Sequence, residues 1–166
     1  MTRRARASKL SLLVLGGLLT TQAAAQESCD VETKLVTRES IKRFVQILRC
    51  GDADLTNAYD CQAGGGPIHV VLPIPPFEAR PGDRFDASFE YNGQIEKRGL
   101  VVVEAVPEGA GDPGAAMDLD RSERLWKALS TPGLDIYASD GNATTDVGAV
   151  HAASKKLKQF KAACGL

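Results

Sequence analysis

Val36-Thr37-Arg38-Glu39-Ser40-Ile41-Lys42-Arg43-Phe44-Val45-Gln46-Ile47-Leu48-Arg49-Cys50-Gly51, residues 36–51, is the stretch on which the fold class turns. Thr37 stands where a helix cap belongs, and Val36 is placed to staple against Ile41. Ile41, Phe44, Val45 and Leu48 then recur at i, i+3, i+4 and i+7, and the stripe ends at Gly51. This spacing predicts a helix over 38–49. The competing reading is a strand over 44–50, with Phe44, Leu48 and Cys50 on one face, but Gln46 would share that face.

Working outward, residues 51–67 read as loop, rich in Asp and Asn and closed by Gly64-Gly65-Gly66. Ile68-His69-Val70-Val71-Leu72 has the β-branched density of a strand, and Pro73, Pro75 and Pro76 end it or confine it to an edge. The clearest β signal follows. Phe85, Ala87, Phe89 and Tyr91 alternate with polar residues, and Asn92-Gly93 turns the chain into residues 94–106. A two-residue turn sets Phe89 opposite Glu96 and Phe85 opposite Leu100, a mixed register that predicts a bulge near Gly99. Residues 107–117 read as a Pro, Gly and Ala loop. Asp120 and Glu123 form a cap pattern for a helix stopped by Pro132-Gly133, and Val150, Ala153, Leu157, Phe160 and Cys164 share one arc of a last helix. The expected fold is therefore α+β. A small antiparallel sheet, made of the hairpin 84–106 plus strands near 68–72 and 134–138, packs with about three helices at 38–49, 121–130 and 147–163.

The N-terminal stretch has the order of a bacterial secretory signal peptide: basic Arg3, Arg4, Arg6 and Lys9, an apolar run over 10–19, and Ala23-Ala24-Ala25 as an A-x-A exit. The apolar run is half of what a bilayer span needs. Residues 1–25 are expected to be cleaved, leaving 26–166 as a single disulfide-bonded globular domain in the periplasm or outside the cell, with no transmembrane segment. The leader holds four of the 20 basic residues and none of the 21 acidic ones, so the mature part is acidic. Acidity argues against nucleic acid as a partner, because phosphates demand clustered Lys and Arg.

Cys29, Cys50, Cys61 and Cys164 all lie in the mature part, and an even count in an exported chain reads as two disulfides. Three pairings are possible. The favoured one joins Cys50 to Cys61 across a short polar loop and Cys29 to Cys164 across the two ends.

Motifs for chemistry are missing. There is no G-x-S-x-G elbow, HExxH, Walker loop or dinucleotide fingerprint, and the glycine run precedes a strand rather than a helix. Asp52, Asp54 and Thr56 place oxygens at positions 1, 3 and 5 of a calcium-type loop, with Asp60 beyond, and Asp140-Gly141-Asn142-Ala143-Thr144 repeats the alternation, but Asn57 stands at position 6 where Gly belongs, position 12 lacks its Glu, and both fragments fit Asx turns better. No cofactor and no metal site are expected. The stiff apolar segment Leu72-Pro73-Ile74-Pro75-Pro76-Phe77 offers Leu72, Ile74 and Phe77 as interaction candidates, against the plainer reading of a connection over the core. The Leu-Pro stretch before a hairpin and the strand-turn-helix ending resemble small invasion-associated proteins of Gram-negative bacteria, whose cysteine placement this chain does not share. The leading expectation is an exported, noncatalytic binding or accessory protein acting on another protein or an envelope component. Its rivals are a small periplasmic hydrolase using loop carboxylates and a calcium-stabilised binding module.

Overall fold

The computed structural model describes residues 29–50, 53–62, 65–74 and 78–166; the expected leader, Asp52 and Phe77 lie outside these. Nine strands make one antiparallel sheet: β1 (Asp30–Arg38), β2 (Ile41–Cys50), β3 (Ala53–Gln62), β4 (Ile68–Leu72), β5 (Arg84–Tyr91), β6 (Gln94–Val103), β7 (Gly114–Leu119), β8 (Tyr137–Ser139) and β9 (Thr144–Asp146). Their order across the sheet is β1-β2-β3-β4-β7-β6-β5-β8-β9. The described helices are short: α1 (Arg124–Leu129) and α2 (Ser154–Cys164), the latter entered through a 3-10 turn, His151–Ala153. The protein is β-rich, and the expected α+β fold with three helices is overturned.

The decisive stretch is a strand. Residues 36–38 finish β1, Glu39 takes a left-handed φ of 51° in the turn, and β2 pairs with β1 on one side and β3 on the other. Phe44 and Gln46 point to one face, Val45 and Ile47 to the other, and all four are buried. A strand covered on both faces carries no polar alternation, so its apolar run imitates a helical stripe.

The other two expected helices shrink. Helix 121–130 becomes the six-residue α1, and helix 147–163 begins only at Ser154. Residues 147–150 stay extended because their backbone groups are taken elsewhere. Val147 N–H donates to the Ile136 carbonyl, and the Val147 and Gly148 carbonyls accept from the Asn57 and Gln46 amides. Residues 53–62 and 114–117, read as parts of loops, belong to strands β3 and β7, and the strand expected at 134–138 sits at 137–139.

The hairpin forms with the expected register, Phe89 opposite Glu96 and Phe85 opposite Leu100, and pairing runs unbroken through Gly99, so the bulge is absent. Glu96 is tolerated facing inward because it meets partners there. The Tyr91 hydroxyl donates to it at 2.7 Å, and Arg98 links it to Glu123 beside α1.

The inner face of the sheet carries the main core under α1 and α2. Phe44, Tyr59, Trp126 and Phe160 form its aromatic centre, Phe44 stacking on Tyr59 at 5.6 Å and Tyr59 meeting Trp126 edge-on at 5.4 Å. The sheet's two halves meet across this face: Gln46 on β2 accepts from Val150 N–H at 3.0 Å and donates to the Gly148 carbonyl.

The disulfides join Cys29 to Cys50 and Cys61 to Cys164, correcting the favoured pairing. Cys50 and Cys61 lie at opposite ends of the β2–β3 hairpin, Cys50 opposite Ala53 and Cys61 opposite Lys42. Eight residues of strand separate them by about 26 Å, far beyond a bridge. Both bonds fit an exported protein, and no helix among the described residues is long and apolar enough to cross a membrane.

Candidate functional site

The outer face of the sheet is divided along one line. In one row of the register Val45, Ala58, Val71 and Ala116 lie side by side on β2, β3, β4 and β7. Two residues along each strand, the same four strands present Arg43, Asp60, His69 and Asp118. Alternation keeps both rows on the same face.

The apolar row, with Ile47, forms a second small core. It is covered by the connection between β6 and β7, residues 104–113, which crosses the sheet as a strap. Val106 and Ala110 pack down on the cluster. Glu108 latches the strap: Arg43 Nη1 donates to Oε2 at 2.9 Å, and Arg38 Nη2 lies 2.7 Å from Oε1 as an ion contact outside hydrogen-bond alignment. Lys34 Nζ donates to the Glu108 carbonyl at 2.9 Å, and Ala110 N–H donates to the Thr56 hydroxyl at 3.0 Å.

Burial works against the Glu108 charge, but the hydrogen bond from Arg43 and the charges of Arg43 and Arg38 outweigh it and hold the carboxyl below its ordinary pKa. Arg43 also grips Asp60 with two parallel bonds, Nε to Oδ1 at 2.7 Å and Nη2 to Oδ2 at 2.6 Å. The bond to Asp60 is the main reason its pKa rises above that of a free guanidinium.

Beyond the strap the His69 and Asp118 end of the charged row is open to solvent, while Arg43 and Asp60 are largely covered. His69 Nδ1 lies 2.8 Å from Asp118 Oδ1, and both side chains are well exposed. In the tautomer that carries its proton on Nδ1, His69 donates to the Asp118 carboxylate and leaves Nε2 for another partner. This pair forms one wall of a groove of about 360 Å³, with Gln62, Gly65, Gly66 and the half-exposed Ile41 on its other sides. A smaller pocket of about 90 Å³, bounded by Val36, Arg38, Ile41, Arg43 and Glu108, continues it toward the strap.

The groove's described lining has no serine, threonine or free thiol, since Cys61 is in a disulfide. No group of three metal-ligating side chains gathers among the described residues. Asp54 and Asp60, the described calcium candidates, lie six residues apart on the extended β3, about 20 Å, and so cannot share an ion. Asp54 instead faces Arg49, and Asp60 is held by Arg43. Asp140 closes an Asx turn, accepting from the N–H groups of Ala143 and Asn142, and these bonds lower its pKa.

Of the interaction candidates, Leu72 and Ile74 are buried in the main core, where they serve packing. Sequence reading noted His69 but missed Asp118, 49 residues away, as well as Arg43 and Glu108. Glu108 lies in a connection whose composition gives no sign that it crosses the sheet. Comparison with protein-family models, with curated proteins and with solved structures found no match.

Proposed function

We propose that the protein is exported to the periplasm or beyond and works there as a noncatalytic binding or accessory protein, acting on another protein or an envelope component through the outer-face groove. One observation carries this reading: an exposed His69–Asp118 pair and a half-exposed Ile41 line a groove that offers donors, acceptors and an apolar foothold but no nucleophile among its described residues. Such a surface suits recognition of a partner. The two disulfides support the exported setting.

The test is a photoreactive side chain placed at Ile41 in protein exported by the cell that makes it, with the same group at exposed Lys158 on α2 as control. A discrete crosslinked species from position 41 that His69→Ala with Asp118→Ala removes is the expected result. Equal crosslinking from both positions, or turnover of ester, peptide or glycan substrates by the purified protein, would defeat the proposal.

A further inference from the structure

We infer that Asn142 is an N-glycosylation acceptor, modified during export by transfer of an oligosaccharide from a polyprenyl-diphosphate donor. The inference rests on the exported setting proposed above.

The chain has three asparagines, Asn57, Asn92 and Asn142. Asn57 is buried and tied to the Val147 carbonyl, and Asn92 has Gln94 two residues on. Asn142 alone is followed by a small residue that is not proline and then a hydroxyl, Ala143-Thr144, the tripeptide whose hydroxyl lets a transferase engage the acceptor amide. Asp140 adds an acidic side chain two residues ahead, a charge that a cationic acceptor cleft can read.

Placement completes the case. Residues 140–143 form the turn between β8 and β9, and Gly141, Asn142, Ala143 and Thr144 are all exposed. β9 is three residues long and, among the described residues, pairs only with β8 and ends the sheet. An acceptor must lie extended in the transferase, and here that requires opening only three residue pairs at an edge, while the core from Val147 onward stays buried. A glycan at this turn would also shield the free edge of β9 from pairing with another chain.

The chemistry is a substitution with no redox change. The Asn142 amide nitrogen attacks the anomeric carbon, a C–N glycosidic bond forms, the anomeric C–O bond breaks, and polyprenyl diphosphate leaves with the electron pair. The amide proton passes to a base of the transferase.

Intact-mass and peptide mass measurements on protein recovered from the producing cell test this. The expected result is a chain lacking its leader and heavier by whole sugar residues on the peptide containing Asn142. Asn142→Gln and Thr144→Val should return it to the bare mass, and Thr144→Ser should keep the addition. Both positions of change are exposed, and unchanged melting would confirm that the variants fold. A leaderless, disulfide-bonded chain without added mass, or added mass that persists in Asn142→Gln, overturns the inference alone. A chain with its leader attached and four free thiols overturns the exported setting as well.

Discussion

Replacing Glu108 with Gln tests how the strap is held, and its cost can be worked from the latch. Glu108 is only 11% exposed, Arg43 25% and Arg38 67%. The half-buried bond to Arg43 is charge-assisted, a class worth about 1.5–3 kcal/mol, whereas the exposed contact to Arg38 contributes at most about 1 kcal/mol. Glutamine keeps one acceptor for Arg43 but loses the charge, and Arg43 remains satisfied by Asp60, so no buried guanidinium is stranded. The net loss should be about 1–2 kcal/mol, read as a lower urea midpoint with the slope unchanged. The pH dependence follows from the lowered pKa of Glu108. A carboxylate depressed in the folded state stabilises above its unfolded pKa of about 4.3 and loses that contribution as pH falls through the folded value. Wild type and Glu108→Gln should therefore differ at pH 7 and converge below about pH 4. Amide exchange in residues 106–111 should quicken in the variant at pH 7 by a matching factor. A stability difference that stays constant from pH 7 to pH 3, or none at all, would refute the latch.

Three further outcomes follow from the packing. Replacing Cys61 and Cys164 together with Ser should cost about 2–5 kcal/mol in urea unfolding, because that bond closes a loop of 103 residues, and a non-reducing peptide map should recover Cys29 with Cys50 and Cys61 with Cys164. Gln46→Ala should cost about 2–4 kcal/mol by removing a buried amide and leaving Val150 N–H and the Gly148 carbonyl unpaired; a loss under about 0.5 kcal/mol would mean the bridge between the sheet's halves carries no weight. Burial first, and then its hydrogen bond to Glu96, push the Tyr91 phenol up to about 12, so an ultraviolet titration should place it well above an ordinary tyrosine, and Tyr91→Phe should delete that step. Because the folded pKa is the higher one, the stability linked to Tyr91 is complete below the unfolded value of about 10 and declines as pH rises toward about 12.

The hairpin was legible because Asn92-Gly93 and the alternation of β5 are local signals. β2 was not, because a strand buried on both faces and a helix stripe share the same residue spacing. β3 reads as loop through Asp54, Asn57 and Asp60, and each polar side chain has a tertiary reason to be there: Arg49, the Val147 carbonyl and Arg43. β7 reads as loop through its small residues. Smallness there is imposed by crowding, since a Cβ at Gly114 would sit 2.5 Å from Val71 Cγ1. The candidate site was illegible for a related reason. Its members come from five segments and meet only through sheet order, and nothing local marks Asp118 as the partner of His69.

The boundary on the outer face also constrains how a partner binds. Val45 gives way to Arg43, Ala58 to Asp60, Val71 to His69 and Ala116 to Asp118, each change two positions along its strand and all in register. Had the whole face been built to be covered, the second row would be apolar like the first; instead the strap reaches the charged row only at Arg43, through Glu108, and leaves His69 and Asp118 exposed. Contact through the charged row must be made largely by polar groups, and its exposed charges are screened within about 8–10 Å at physiological salt. Association through this groove should therefore slow and weaken as ionic strength rises, with Asp118→Asn blunting the effect. An affinity unchanged between low and high salt, measured with the partner that crosslinking identifies and the unmodified protein, would mean that the charged row does not carry the contact, and exposed Ile95 and Tyr137, flanking Glu90 on β5, would become the next place to look.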